Sequence, residues 1–141
     1  MKASHLMLVG ALTFAVLAST PAFAEPRRDA ILAELLAQAR RDEPGFGQFS
    51  AERGAALYRA DHTGGKPGTA SCTACHGNTP LETGQTRAGK AIDPMALSKS
   101  PGRYTDKAKV EKWFTRNGTQ VLGRACTAKE KGDFLTYVTA Q

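Results

Sequence analysis

Five consecutive residues, Cys72-Thr73-Ala74-Cys75-His76, put two thiols and an imidazole within a single helical turn. At this spacing the sulfurs can add across the two vinyl groups of a porphyrin, and the next residue projects its imidazole under the iron. The expected cofactor is therefore one covalent haem c, held by Cys72 and Cys75, with His76 as an axial metal ligand. Three rival chemistries use the same residue types. A zinc site needs further donors, and only His62 and Cys126 could supply them. A thioredoxin-like pair needs a βαβ context, which the chain lacks. A structural disulfide leaves His76 without a purpose. The odd cysteine count fits two thiols consumed by haem and one, Cys126, left over.

A haem iron has a second face, and three residues are candidates for it. Met95, between Pro94 and Ala96, offers a soft thioether that favours reduced iron. Its alternative role is as a flexible gap-filler against the porphyrin. His62 lies ahead of the haem motif in a Gly-rich loop. Asn117 lies in KWFTRNGTQ, where Val110, Trp113, Phe114 and Asn117 share one helical face by their i, i+3, i+4, i+7 spacing. Lys109, Lys112 and Arg116 fall on another face. An inward amide needs a partner, since leaving it unsatisfied costs about 1–3 kcal/mol. That partner is either the iron or the end of the helix, which Asn often caps. Both roles stand open on pattern alone.

The elements that must hold these residues read as helices. Ile31, Leu32, Leu35, Leu36 and Ala39 predict a helix over 28–41, ended by Asp42-Glu43-Pro44-Gly45. A second helix is expected over 51–60, with Ser50 as N-cap and Gly54, Leu57 and Tyr58 on one face. Residues 77–105 show little periodicity and many Gly, Pro, Ser and Thr. A loop this long in a small domain needs a reason, and wrapping a haem supplies one. A third helix is expected over 106–117, N-capped by Thr105, with Gly118 in the left-handed position beyond its end. The last helix is expected over 128–139, opened by a Thr127/Glu130 capping box. No strand is convincing. The fold class is all-α.

The chain opens MKASHLMLVGALTFAVLASTPAFAEP. Lys2, the apolar run Leu6–Ala18 and the small-residue site Ala22-Phe23-Ala24 read as a secretory leader cleaved after Ala24, with a periplasmic destination. The run is shorter than the roughly 20 residues that span a bilayer, so no stable membrane insertion is expected after cleavage. The organisation expected is residues 1–24 as signal peptide, 25–49 as an N-terminal helical extension and 50–141 as the haem domain. The mature part keeps 18 of the 19 basic residues and all 13 acidic ones, a formal charge of +5. Two haem propionates would lower it to about +3. An acidic protein partner fits this balance. Nucleic acid does not, because there is no arginine-rich arm and no aromatic stacking platform. Arg87, Lys90, Arg103, Arg116 and Arg124 are the candidates for pairing with propionates.

The segments GQTRAGKAIDPMALS and GRYTDKAKVEKWFTRNGTQVLGRACTAKEKGDFLTYV resemble the sphaeroides-haem-protein (SHP) type of class I cytochrome c. The resemblance runs from about Ala51 to the C-terminus. Its specific part is W-F-x-R-N followed by V-L-G-R-x-C-T-x-x-E-K. It implies a class I cytochrome c fold and makes the Asn of the R-N pair, here Asn117, the sixth ligand of ferric iron. The methionine of I-D-P-M, here Met95, is then not the ligand. It also implies binding of O2 or NO and electrons taken from a di-haem cytochrome c, with terminal reductase activity left open. In one place the chain departs from the family pattern. The family has Cys directly after the ligand Asn, bridged to the position of Cys126, whereas this chain has Gly118. The competing readings are a simple electron carrier with His76–Met95 ligation, and a gas-binding or sensing protein without turnover.

Overall fold

Three of the helices begin where a side chain caps them. The computed structural model describes residues 25–141, and the expected leader over 1–24 lies outside the described residues. Helix α1 spans Glu25–Asp42, α2 Ala51–Arg59, α3 Thr73–His76, α4 Lys107–Val121 and α5 Ala128–Thr139. Ser50 opens α2 by accepting from the Arg53 amide. Thr127 and Glu130 form the reciprocal capping box that opens α5.

Three sequence expectations change. Helix α4 is capped by Asp106, whose carboxylate accepts from Lys109 N, and not by Thr105. It also runs past Asn117 and Gly118 to Val121, and the left-handed glycine is Gly123 at φ +73°. The extra turn buries Val121, which continues the row of Val110, Phe114 and Asn117 at i+4. Tertiary burial thus outweighs the roughly 1 kcal/mol that a mid-helix glycine costs. Finally, the long loop holds a minimal antiparallel hairpin, β1 Gly84–Gln85 with β2 Ala91–Ile92, where no strand was expected. Local turn bonds make it: Thr86 N donates to Lys90 O at 2.8 Å and Gly89 N to Thr86 O at 2.9 Å.

Two apolar clusters hold the helices together. One joins Ile31, Leu35 and Ala39 of α1 to Phe46, Val110 of α4, and Ala128 and Leu135 of α5. The other joins Tyr58 of α2 and Met95 to Phe134, Tyr137 and Val138 of α5. Helices α2 and α5 cross so closely at Gly54 that a Cβ there would lie 2.1 Å from Asp133 O. Asp133 is buried beside that crossing. It pairs with Arg53 at 2.7 Å and accepts from Ser50 N at 2.7 Å, so both its oxygens are satisfied. Among the described residues no helix is long and apolar enough to cross a membrane.

Candidate functional site

Helix α3 is the haem motif folded into one turn. His76 N donates to Cys72 O at 3.0 Å, which sets the two cysteines and the histidine on a common turn. Tyr58 locks this turn from below. Its ring is fully buried, and its hydroxyl donates to the carbonyls of Gly77 (2.7 Å) and His76 (3.0 Å). Burial raises the Tyr58 pKa, so the hydroxyl keeps its proton as a donor. The apolar face of α2 announces a buried Tyr58, but nothing in the sequence announces where its hydroxyl goes.

Cys72, Cys75 and Cys126 are free thiols, so the two motif cysteines are not a disulfide. His76 Nδ1 is buried without a hydrogen-bond partner. Burial, reinforced by the positive charge of Arg103, pushes the His76 pKa down to about 4. The imidazole is therefore neutral at neutral pH and has a lone pair to give, as a metal ligand requires. Among the described residues no three His, Cys, Asp or Glu side chains gather, so a zinc site lacks a donor set. Two unpaired thiols one turn apart and a neutral histidine with an orphaned ring nitrogen fit a covalent haem c.

The three candidates for the second axial position lie in different surroundings. His62 is tied into its own loop: its Nε2 lies 3.1 Å from Leu57 O and its amide donates to Ala70 O at 2.7 Å. Met95 is buried in the cluster of Tyr58, Phe134, Tyr137 and Val138, and its carbonyl accepts from the Tyr104 hydroxyl at 2.7 Å. Asn117 sits inside α4, one turn before its end, so it is not the cap of this helix. It is half-buried on the Val110–Phe114–Val121 row. Its carboxamide makes no side-chain hydrogen bond among the described residues.

Trp113, which shares a helical face with Val110, Phe114 and Asn117 by spacing, is 43 % exposed. It stands at the edge of the apolar row, with the Arg116 guanidinium 5.3 Å and the Lys112 ammonium 5.9 Å from its ring centre. Of the propionate candidates, Arg124 is already committed to Glu130 by two bonds of 2.7 and 2.8 Å. Arg87 donates to Pro67 O, and Arg103 donates to Asp93 O while its charge reaches His76. At Gly118 a Cβ would lie 3.0 Å from Cys126 Sγ and 2.7 Å from Arg124 O, so the thiol packs directly on the helix backbone beside Asn117.

Comparison with known proteins gives concordant results. Residues 44–138 match the family described as "Domain of unknown function (DUF1924)". The cytochrome c-type protein SHP of Cereibacter sphaeroides is 55 % identical over 91 residues, which cover 64 % of this chain and 70 % of that protein. Cytochrome c'' of Methylophilus methylotrophus is 37 % identical over 73 residues, 51 % of each chain, so the aligned stretch spans about half of that relative. Among solved structures, oxidised SHP, described as an oxygen-binding cytochrome c, superposes with a TM-score of 0.74 at 46 % identity, covering 81 % of this chain and 96 % of the other. Oxidised cytochrome c'' superposes with a TM-score of 0.72 at 27 % identity, covering 82 % and 95 %. A solution structure of cytochrome c'', which addresses haem-ligand detachment in that protein, superposes equally well, covering 82 % and 94 %.

Proposed function

The chain belongs to the SHP-type cytochromes c, with a class I cytochrome fold and one covalent haem c, and from that premise we propose that it accepts electrons and binds a small diatomic ligand, O2 or NO, at the axial position that Asn117 holds in the ferric state. When bound, haem c supplies a one-electron iron couple and an exchangeable axial position. Cys72 and Cys75 hold the group through thioethers, and His76 gives it a neutral imidazole. Tyr58 fixes the backbone of that turn through the His76 and Gly77 carbonyls.

The observation that carries this reading is the placement of Asn117: mid-helix, half-buried on an apolar row and without a hydrogen-bond partner among the described residues. Its amide oxygen is a hard, neutral, weak donor that suits ferric better than ferrous iron. Asn117 would therefore hold the group better in its ferric than in its ferrous state. Its amide would also be placed to hydrogen-bond a small diatomic ligand. The oxygen binding named for SHP and the ligand detachment named for cytochrome c'' support the same behaviour here. Met95 packs among Tyr58, Phe134 and Val138, in the cluster that Cys72 and Phe114 also join, so the plain His76–Met95 carrier is the reading this one must be tested against.

We place the working protein in the periplasm, exported by a leader ending at Ala24, with residues 50–141 as the haem-binding part. Its electron donor is a di-haem cytochrome c or another redox protein with an acidic face. Lys66, Lys112 and Arg116 line a shallow depression of about 780 Å³ on the outside of α4, together with Glu111, whose charge is met by Lys131 at 2.6 Å. None of Lys66, Lys112 and Arg116 is in an ion pair among the described residues. Such a surface attracts an acidic partner and makes its approach salt-dependent.

Two variants test the ligand assignment. Asn117→Ala is expected to shift the ferric absorption spectrum toward the high-spin form, while Met95→Leu leaves that spectrum in place. The reverse pattern would make the protein a carrier with Met95 as ligand.

A further inference from the structure

The loop that leads into the haem motif is fastened to the end of the helix that carries Asn117. Helix α4 ends at Val121, and its last carbonyls need partners from outside the helix. Gln120 O receives two: Lys66 N at 2.7 Å and the Thr69 hydroxyl at 2.8 Å. Thr69 is only 4 % exposed, and its hydroxyl also lies 2.8 Å from Lys66 O, so the bond is sheltered from water. The contact between the two strands of chain is closer than side chains allow. A Cβ at Gly65 would lie 2.1 Å from Gln120 O, and one at Gly64 would lie 2.3 Å from Leu122 O. The base of the loop is closed by His62 N on Ala70 O at 2.7 Å.

Two features give this contact a role beyond packing. Thr69 lies three residues before Cys72, and Gln120 lies three residues after Asn117. The contact therefore joins the two halves of the site, the turn that attaches the haem and the helix turn that presents the amide, through short and rigid spans of chain. On the other side of the same helix end, Gly118 and Cys126 touch but share no covalent bond.

We propose that residues 62–70 form a noncovalent clasp on the end of α4, with Thr69 as a positioning residue that sets how readily Asn117 leaves the iron. The clasp does for this chain what a bridge between positions 118 and 126 would otherwise do. The inference rests on the Asn117 reading above.

The test is the rate at which added imidazole binds the ferric holoprotein, since Asn117 must leave first. Thr69→Val keeps the shape and removes the donor, and is expected to speed imidazole binding roughly tenfold. Thr69→Ser, which restores the hydroxyl, should return the rate toward that of the parent. Gly65→Ala attacks the same contact from the backbone and should also raise the rate, which keeps the test alive if Thr69→Val does not fold. Asn117→Ala, read by its ferric spectrum and imidazole rate, separates the two claims. A changed Asn117→Ala protein beside unchanged Thr69→Val and Gly65→Ala proteins overturns the clasp alone. An Asn117→Ala protein indistinguishable from the parent overturns the ligand assignment and the clasp with it.

Discussion

Cys126 shows how a neighbourhood decides what a residue can do. Burial, with the negative charge of Glu130 adding to it, pushes its thiol up to about 12. The nucleophile is the thiolate, so the folded protein holds this sulfur in its inert form. The sign follows directly. The folded state keeps the proton that the unfolded state releases near its ordinary value of about 8.5. This stabilising contribution is complete below that pH and is lost as pH rises toward 12. At pH 8, alkylation of Cys126 by iodoacetamide should be at least about a hundredfold slower in the native holoprotein than in urea. Equal rates would show an open, reactive thiol. At this scale the sequence was legible wherever the chemistry is local. Cys72, Cys75 and His76 declare themselves by spacing alone. The unpartnered amide of Asn117 does not, because it depends on which residues pack around it in three dimensions.

Helix α4 carries Asn117 and packs Val110 into the core that α1 and α5 share. Its start was misread by one residue, because Asp106 and Thr105 are both acceptable caps and only the fold chooses between them. Its end was misread by a full turn. Gly118 carries a stop signal in sequence, yet here its missing side chain makes room for Arg124 O and Cys126. Ser50 and the Thr127/Glu130 pair were legible because a cap is a contact between residues only three apart. The same close approach makes an engineered bridge feasible. A Cβ at 118 would lie 3.0 Å from Cys126 Sγ, close to the separation of about 3 Å between a Cβ and the partner sulfur across an S–S bond of about 2.04 Å. To admit that Cβ, the backbone at Arg124 O (2.7 Å) and Cys126 N (2.9 Å) must shift. Gly118→Cys, once oxidised, is expected to stabilise the protein by about 2 kcal/mol in denaturant titrations. It should also slow exchange at the axial position by holding Asn117 in place. A formed bridge with unchanged exchange rates would contradict the second expectation.

Over the whole molecule, α1 is no loose appendage. Ile31, Leu35 and Ala39 share one core with Val110 of α4 and Leu135 of α5, and buried Arg28 donates to Pro101 O at 3.0 Å. Ion pairs of Lys107 with Glu34 and of Lys129 with Glu43 add to the same seam. The division at residue 50 expected from sequence therefore separates segments that fold against each other. Leu35→Ala is expected to cost about 2–5 kcal/mol by thermal or denaturant unfolding. The ferric spectrum should stay unchanged, because none of Cys72, Cys75, His76 and Asn117 belongs to the α1 core. A shifted spectrum would mean that α1 controls the ligand set. The periodicity of α1 was readable in sequence. Its docking partners were not, since that contact joins residues about a hundred positions apart.

The most direct test of the central claim is an optical titration of the purified holoprotein, oxidised and then reduced, with and without CO or NO. With Asn117 as the ligand, the ferric spectrum lacks a sulfur-to-iron charge-transfer band, and a high-spin ferrous form takes up the gas at once. A ferric form showing that band, with a ferrous form that ignores the gas, would contradict the account and make Met95 the ligand of an electron carrier with no exchangeable position.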